Sequence, residues 1–365
     1  MAKTISPDPE NEQGLRAKIL AGSQDLKDYT ALAEILLGAA GREDEGLAVL
    51  DQALELALAS LDRAAICADI AWFLYELGRT ERAMTTAQRA LSHVTGQAET
   101  PRVLMIRGLS HAVLANCHYY TDRVSSDRDA RLALEAFEQL LSTHPDFEDF
   151  AEACLYAAGI YILRREYAKA VALYENALRG DLSAREKLSS LICLANALRC
   201  QGRYADAEGR LREALGLVEA DRRWLTRVCF EMGKVCRLTN RPEEAVVAFE
   251  RALGALDVNP FLRGDRGFVA EIRWELGNLY YDAKRYRDAI AAFREVIPDL
   301  LERYPELYCG TLIYLGHCYV LTGQHGKAQD CFQEVLASEQ ASNEEKAAAQ
   351  EWLSSLPPLQ PPRVH

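Results

Sequence analysis

Several things are scarce or missing in this sequence, and each absence removes a class of protein. No run of about 18 apolar residues occurs, so nothing reads as a membrane span, and the start, MAKTISPDPENEQ, lacks the apolar core of a signal peptide. The ten cysteines include no CxxC pair, which argues against a zinc site or a disulfide scaffold. Cys67, Cys154 and Cys229 instead fall on apolar helix positions, where cysteine acts as a small hydrophobe. A reducing cytoplasm is the expected location. No phosphate loop, nucleophile elbow or HExxH is present, so no enzyme, metal or cofactor is expected. Positive charge is also short: 42 Lys plus Arg against 54 acids leave a formal charge of −12. That argues against a general nucleic-acid or anionic-membrane binder, which needs a positive field. Only residues 179–241 run the other way, with 13 basic and 8 acidic residues. This local excess is compatible with an acidic partner, and equally with a solvated helix face.

What is abundant is repetition, which is sought before any other pattern. ELGNLYYDAKRYRDAIAAF (275–293), YLGHCYVLTGQHGKAQDCF (314–332) and EMGKVCRLTNRPEEAVVAF (231–249) share Gly third, Ala fifteenth and Phe nineteenth, and little else. The frame recurs at 193–211, 156–174, 69–87 and 32–50 with small or apolar residues at the same places. One copy is interrupted: LANCHYY (114–120) and ARLALEAF (130–137) flank TDRVSSDRD, which reads as an inserted turn at 121–129. The fifteenth place marks eight copies: Gly46, Ala83, Ala133, Ala170, Ala207, Ala245, Ala289 and Ala328.

Each copy reads as two helices. Leu191, Leu194 and Leu198 recur at the three- and four-residue spacing of one helix face. A polar break containing Gly202, Asn240 or Gly323 follows, and Pro242 suits the first turn of a second helix. The small residues Gly277 and Ala289 are expected to let the two backbones approach, with Phe293 filling the wedge beside the crossing. SNEEKAAAQEWLSSL has a capping-box spacing at Ser342 and Glu345 and offers Trp352 and Leu353 on one side, as a covering helix would.

The frame resembles the tetratricopeptide repeat (TPR) family, a helix–turn–helix unit with small residues at its eighth and twentieth positions and an aromatic at its twenty-fourth. Gly233, Gly277 and Gly316 match the eighth, Ala245, Ala289 and Ala328 the twentieth, and Phe249, Phe293 and Phe332 the twenty-fourth. The markers lie 37 to 50 residues apart, longer than the family's 34, which implies longer helices or linkers. The resemblance implies an all-α, right-handed superhelical solenoid of about eight repeats over 25–340. A loosely ordered segment is expected at 1–24, a capping helix at 341–356 and an extended Pro-rich tail at 357–365.

In this family the concave surface, lined by the first helices, is the usual ligand groove. Its positions here give Asn196 and Arg199, then Arg227, Phe230, Lys234 and Arg237, then Trp274, Asn278 and Tyr281, and finally His317, with Trp72, Tyr75, Asn116 and Tyr119 farther back. Asn amides can pair with a peptide backbone, cations can hold a carboxylate, and aromatics can anchor. The competing reading is that the aromatics pack and the cations pair with Glu231, Glu271 and Glu275. The chaperone-type carboxylate clamp of the family does not fit, because Glu231, Glu271 and Glu275 stand where it needs Asn or cations.

His111, Cys117 and His118 share one helix, but no further ligand of metal-site spacing accompanies them. RGD at 263–265 reads as coincidence, and PxxPxR at 358–363 as an SH3-type spacing common in proline-rich tails. The leading expectation is a non-enzymatic adaptor holding another protein or an extended peptide, with self-association left open. The alternative is a peptide-sensing regulator whose superhelix changes pitch. An RNA-contacting repeat rests on the basic middle alone.

Overall fold

The repeat frame becomes helices throughout. A computed structural model describes residues 9–37, 41–119, 121–218, 222–256 and 266–357, and every element in them is helical. RGD and the proline-rich motif lie outside these residues.

The protein divides into two compact units, Met1–Glu231 and Met232–His365, and the division falls within one helix. The first unit opens with α1 (Pro9–Leu20). Five hairpins follow: α2 (Leu26–Leu37) with α3 (Glu43–Leu56), α4 (Ser60–Glu76) with α5 (Thr80–Val94), α6 (Pro101–His118) with α7 (Arg123–Thr143), α8 (Phe150–Leu163) with α9 (Tyr167–Ala177), and α10 (Ala184–Cys200) with α11 (Tyr204–Val218). The dividing helix is α12 (Arg222–Leu238). Beyond it the second unit holds α13 (Pro242–Ala255), the pair α14 (Arg266–Asp282) and α15 (Tyr286–Arg303), the pair α16 (Pro305–Leu321) and α17 (His325–Ala337), and α18 (Asn343–Ser355). The eight marker residues all sit on second helices and all are buried.

The small residue and the aromatic meet directly. A Cβ added to Gly277 would stand 2.5 Å from the Phe293 ring, one at Gly233 2.7 Å from Phe249, and one at Gly316 2.6 Å from Phe332. Each ring therefore lies on the backbone of the first helix, rather than in a wedge beside the crossing. All three rings are fully buried, and each contributes apolar burial of a few kcal/mol. Where the fill is Leu211 or Ala87, the opposing place carries Ala195 or Ala71.

The third hairpin corrects the sequence reading. Phe137 rests on Gly108, with 2.6 Å to an added Cβ, upstream of the LANCHYY stretch (114–120) that was read as the first half of this copy. The additional residues are not a longer turn. They lengthen both helices, because Asp122 caps the Val124 and Ser125 amides and starts α7 at Arg123. The extended tip is held by polar contacts. Ser126 Oγ donates to the Ala115 carbonyl at 2.8 Å, and buried Asp129 meets His111 Nδ1 at 3.1 Å and His118 Nδ1 at 3.2 Å. Both imidazoles are thus engaged by one carboxylate, and no group of metal ligands occurs among the described residues.

The N-terminal segment also differs from expectation, since Pro9–Leu20 is helical. Leu15 is buried against the core of α2 and α3. Glu12 accepts from Arg42 at 2.8 Å and from Arg16 at 2.8 Å. Those hydrogen bonds hold its carboxyl down at about 2, so the docking contacts stay charged. At the other end, Ser342 and Glu345 form a reciprocal capping box, and Trp352 stacks on Phe332 at 6.3 Å.

Gly277→Ala should therefore destabilise the protein by roughly 1–3 kcal/mol through overpacking, and adding Phe293→Leu should recover part of that loss. Denaturant unfolding of the three proteins measures this. Unchanged stability in the single variant would contradict the direct ring-on-backbone contact.

Candidate functional site

Helix ends decide what the first helices present. Six of them close in the same way: the second residue beyond the helix takes a left-handed conformation, and two amides bond back into the last turn. That residue is Gly78, Arg165, Gly202, Asn240, Lys284 or Gly323, with φ between 58° and 76°. At α8, for example, Arg165 N donates to Ile162 O at 2.9 Å and Glu166 N to Tyr161 O at 2.8 Å. Glycine adopts this conformation freely, whereas Arg and Lys are uncommon there.

In the first unit, side chains of several first helices converge. Trp72 of α4 packs edge-on against Tyr156 of α8 at 4.8 Å. Arg185 of α10 reaches back to Glu76 of α4 at 2.5 Å and lies over the Phe73 ring. These contacts occupy part of the shared face, so Trp72 is a packing residue. Beside them, toward the hairpin turns, remains a cavity of about 330 Å³. Tyr75, Asn116, Tyr119, Tyr167, Asn196 and Arg165 line it, over an aliphatic wall of Ile162 and Leu163.

The amides of the cavity are oriented. Asn116 donates to the Ala112 carbonyl at 2.8 Å, and its oxygen accepts from Tyr75 at 3.4 Å. Asn196 Oδ1 accepts from Arg199 at 2.6 Å. Arg199 is in turn bonded to Glu231 at 3.1 Å, with both side chains largely covered. The sequence reading proposed Asn196, Tyr75, Asn116 and Tyr119 as groove residues, and the structure brings these four together. It missed Arg165 and Tyr167. The available signal was an arginine in LRREY, at the turn position that other copies fill with Gly202 or Gly323.

The remaining proposed residues of the first unit behave differently. Arg199 braces Asn196 and Glu231, Phe230 is 3% exposed and belongs to the core, and Arg227 is exposed.

In the second unit the first helices are cross-linked. Lys234 pairs with Glu271 at 2.7 Å, and Arg237 with the buried carboxylate of Glu275 at 3.1 Å. Trp274 Nε1 donates to Thr311 at 3.2 Å. Burial lowers the His317 pKa, its Nδ1 shares a hydrogen bond with the Tyr281 hydroxyl, and its ring lies tilted against Trp352 at 4.4 Å. Asn278 is half-buried. Here the cations meet the acids named in the competing reading, while Tyr314, 45% exposed, lies edge-on to Tyr281 at 5.0 Å.

The sequence matches the tetratricopeptide repeat family over residues 9–97, 186–257 and 239–306. No curated protein matches it. Among solved structures it is similar to the APC/C hetero-tetramer Cut9–Hcn1, with 18% identity and a TM-score of 0.67 over 97% of this protein and 61% of that one. It is also similar to the apo form of RapI, with 13% identity and a TM-score of 0.60 over 79% and 80% of the two proteins. The protein thus spans less than two thirds of the first of these, and at such identities the likeness concerns the fold.

Arg237→Ala should lower stability by about 1–3 kcal/mol, because it removes the cation facing a buried carboxylate. Arg237→Ala with Glu275→Leu should restore most of it. Thermal melts of both variants provide the check, and an unaffected single variant would show that Arg237 is free for a partner.

Proposed function

Because the protein belongs to the tetratricopeptide repeat family, whose members are protein-interaction scaffolds, we propose that it is an adaptor. It holds an extended segment of a partner protein against the first helices of its first unit, without catalysis, in the cytoplasm. The observation that carries this reading is the cavity at Tyr75, Asn116, Tyr119 and Asn196. Its aromatic walls and oriented amides suit a peptide backbone and one or two anchoring side chains. At about 330 Å³ it is small for a ligand site, so it fits part of a peptide better than a whole cofactor. The hetero-tetrameric assembly of Cut9–Hcn1 is in keeping with a partner-holding role. In the second unit the ion pairs and aromatic contacts serve mainly to brace neighbouring helices.

The Arg185–Glu76 bridge favours a second reading. It joins helices through residues 109 positions apart in the sequence, and a ligand entering beside it could open it, as in a peptide-sensing regulator.

The test is capture from native lysate, comparing the wild type with Tyr75→Ala plus Asn196→Ala, read by mass spectrometry. A protein retained by the first and lost by the second, at equal helicity and melting temperature, supports the adaptor. Equal recovery by both places the partner elsewhere on the molecule and overturns this site. Compaction of the wild type on adding the captured partner's segment, seen by small-angle scattering, would favour the sensor.

A further inference from the structure

The first unit carries another cavity, of about 460 Å³, bordered mainly by second helices. α3 supplies Asp51, Leu54 and Glu55, the start of α4 supplies Arg63, and α5 supplies Arg89. Asp51 and Glu55 are four residues apart, so they share one face of α3. Arg63 Nε donates to the Ala57 carbonyl at 2.7 Å, which holds the link between α3 and α4 at the edge of the cavity.

Two acids and two arginines thus border one cavity without pairing. None of the four takes part in an ion pair among the described residues. Another acid of the same helix, Asp44, does find a partner, in Arg79 at 2.6 Å. The patch is also electrically neutral, on a protein whose formal charge is −12. Copies of such a chain repel one another, and they approach most readily through a face that carries no net charge.

Leu58 is a separate observation. It follows Ala57 directly, so it stands at the rim of the cavity. It is 92% exposed, more than any other large apolar side chain among the described residues. Removing it from water is favourable, and the cavity beside it has room for such a side chain.

We propose that this face binds a second copy of the chain about a two-fold axis. In such a contact one patch serves both copies, and each must be complementary to itself. Acids on α3 and an arginine on α5 meet that condition. The Asp51 and Glu55 carboxylates of each copy face the Arg89 guanidinium of the other, and each Leu58 enters the opposite cavity over Leu54. A partner of uniform charge would set like charges against either the acids or the arginines. The contact lies apart from the peptide-holding cavity. Arg63 is near the start of α4 and Tyr75 near its end, roughly 18 Å away along the axis. The dimer therefore keeps both peptide-holding faces open and presents two of them.

Sedimentation velocity at concentrations from about 1 to about 300 µM tests this. The wild type should shift from monomer toward dimer as concentration rises, because so small a patch binds weakly. Leu58→Glu should remain monomeric. Asp51→Arg with Glu55→Arg makes the patch wholly basic, and Arg89→Glu makes it predominantly acidic. Each of these should be monomeric alone, and an equimolar mixture of the two should form a heterodimer, since the facing charges are then opposite again. All four positions are exposed, so each variant should keep wild-type helicity and melting temperature. A wild type that stays monomeric throughout overturns the proposal and leaves the face to another partner. So does a dimer that the variants leave intact, or one that they abolish without recovery on mixing. The peptide-holding reading stands or falls separately from all of these outcomes.

Discussion

The contact between a phenylalanine ring and a glycine backbone sets the geometry of the four hairpins that carry it. At Gly108, Gly233, Gly277 and Gly316 the ring lies where a Cβ would otherwise stand. This fixes both the separation and the register of the two helices, since a slip of one residue would drive a side chain into the ring. Because the second helix is held so closely, the first helix of each repeat can meet the first helix of the next. Those neighbouring helices then share a face, and the side chains on it determine what the protein can hold.

The two units use that face differently. In the second, Lys234–Glu271, Arg237–Glu275, Trp274–Thr311 and Tyr281–His317 link successive first helices, so most of the recognition-type side chains there are committed to neighbours. In the first, Trp72–Tyr156 and Arg185–Glu76 fill part of the face and leave a cavity beside them. A cation already bonded to a covered carboxylate gains little from a ligand's carboxylate, because the first pairing must be broken.

Much of this was legible in the residues. Small and aromatic residues at fixed spacing identify the hairpins, because overpacking penalises every other choice at those places. The third hairpin was misread because a fixed frame cannot show whether additional residues enter a turn or lengthen two helices. Asp122 as a cap and Asp129 between two histidines decided for helix. The N-terminal segment was misread because α1 docks through long-range pairs such as Glu12–Arg42, which leave no periodic signal. Of the proposed groove residues, Asn196 was placed with Tyr75 and Asn116, whereas Phe230 entered the core and Lys234 and Arg237 met acids of the next repeat. Position in a repeat indicates which face a side chain joins. It does not indicate whether a neighbour has already claimed it.

The central claim is that the first unit holds its partner at the turn-side cavity. The most direct measurement is hydrogen–deuterium exchange of the protein with and without its captured partner, resolved to short peptides. The account requires protection at residues 162–167 and in the second half of α10 around Asn196. Protection confined to the second helices, such as α9 and α11, would contradict it.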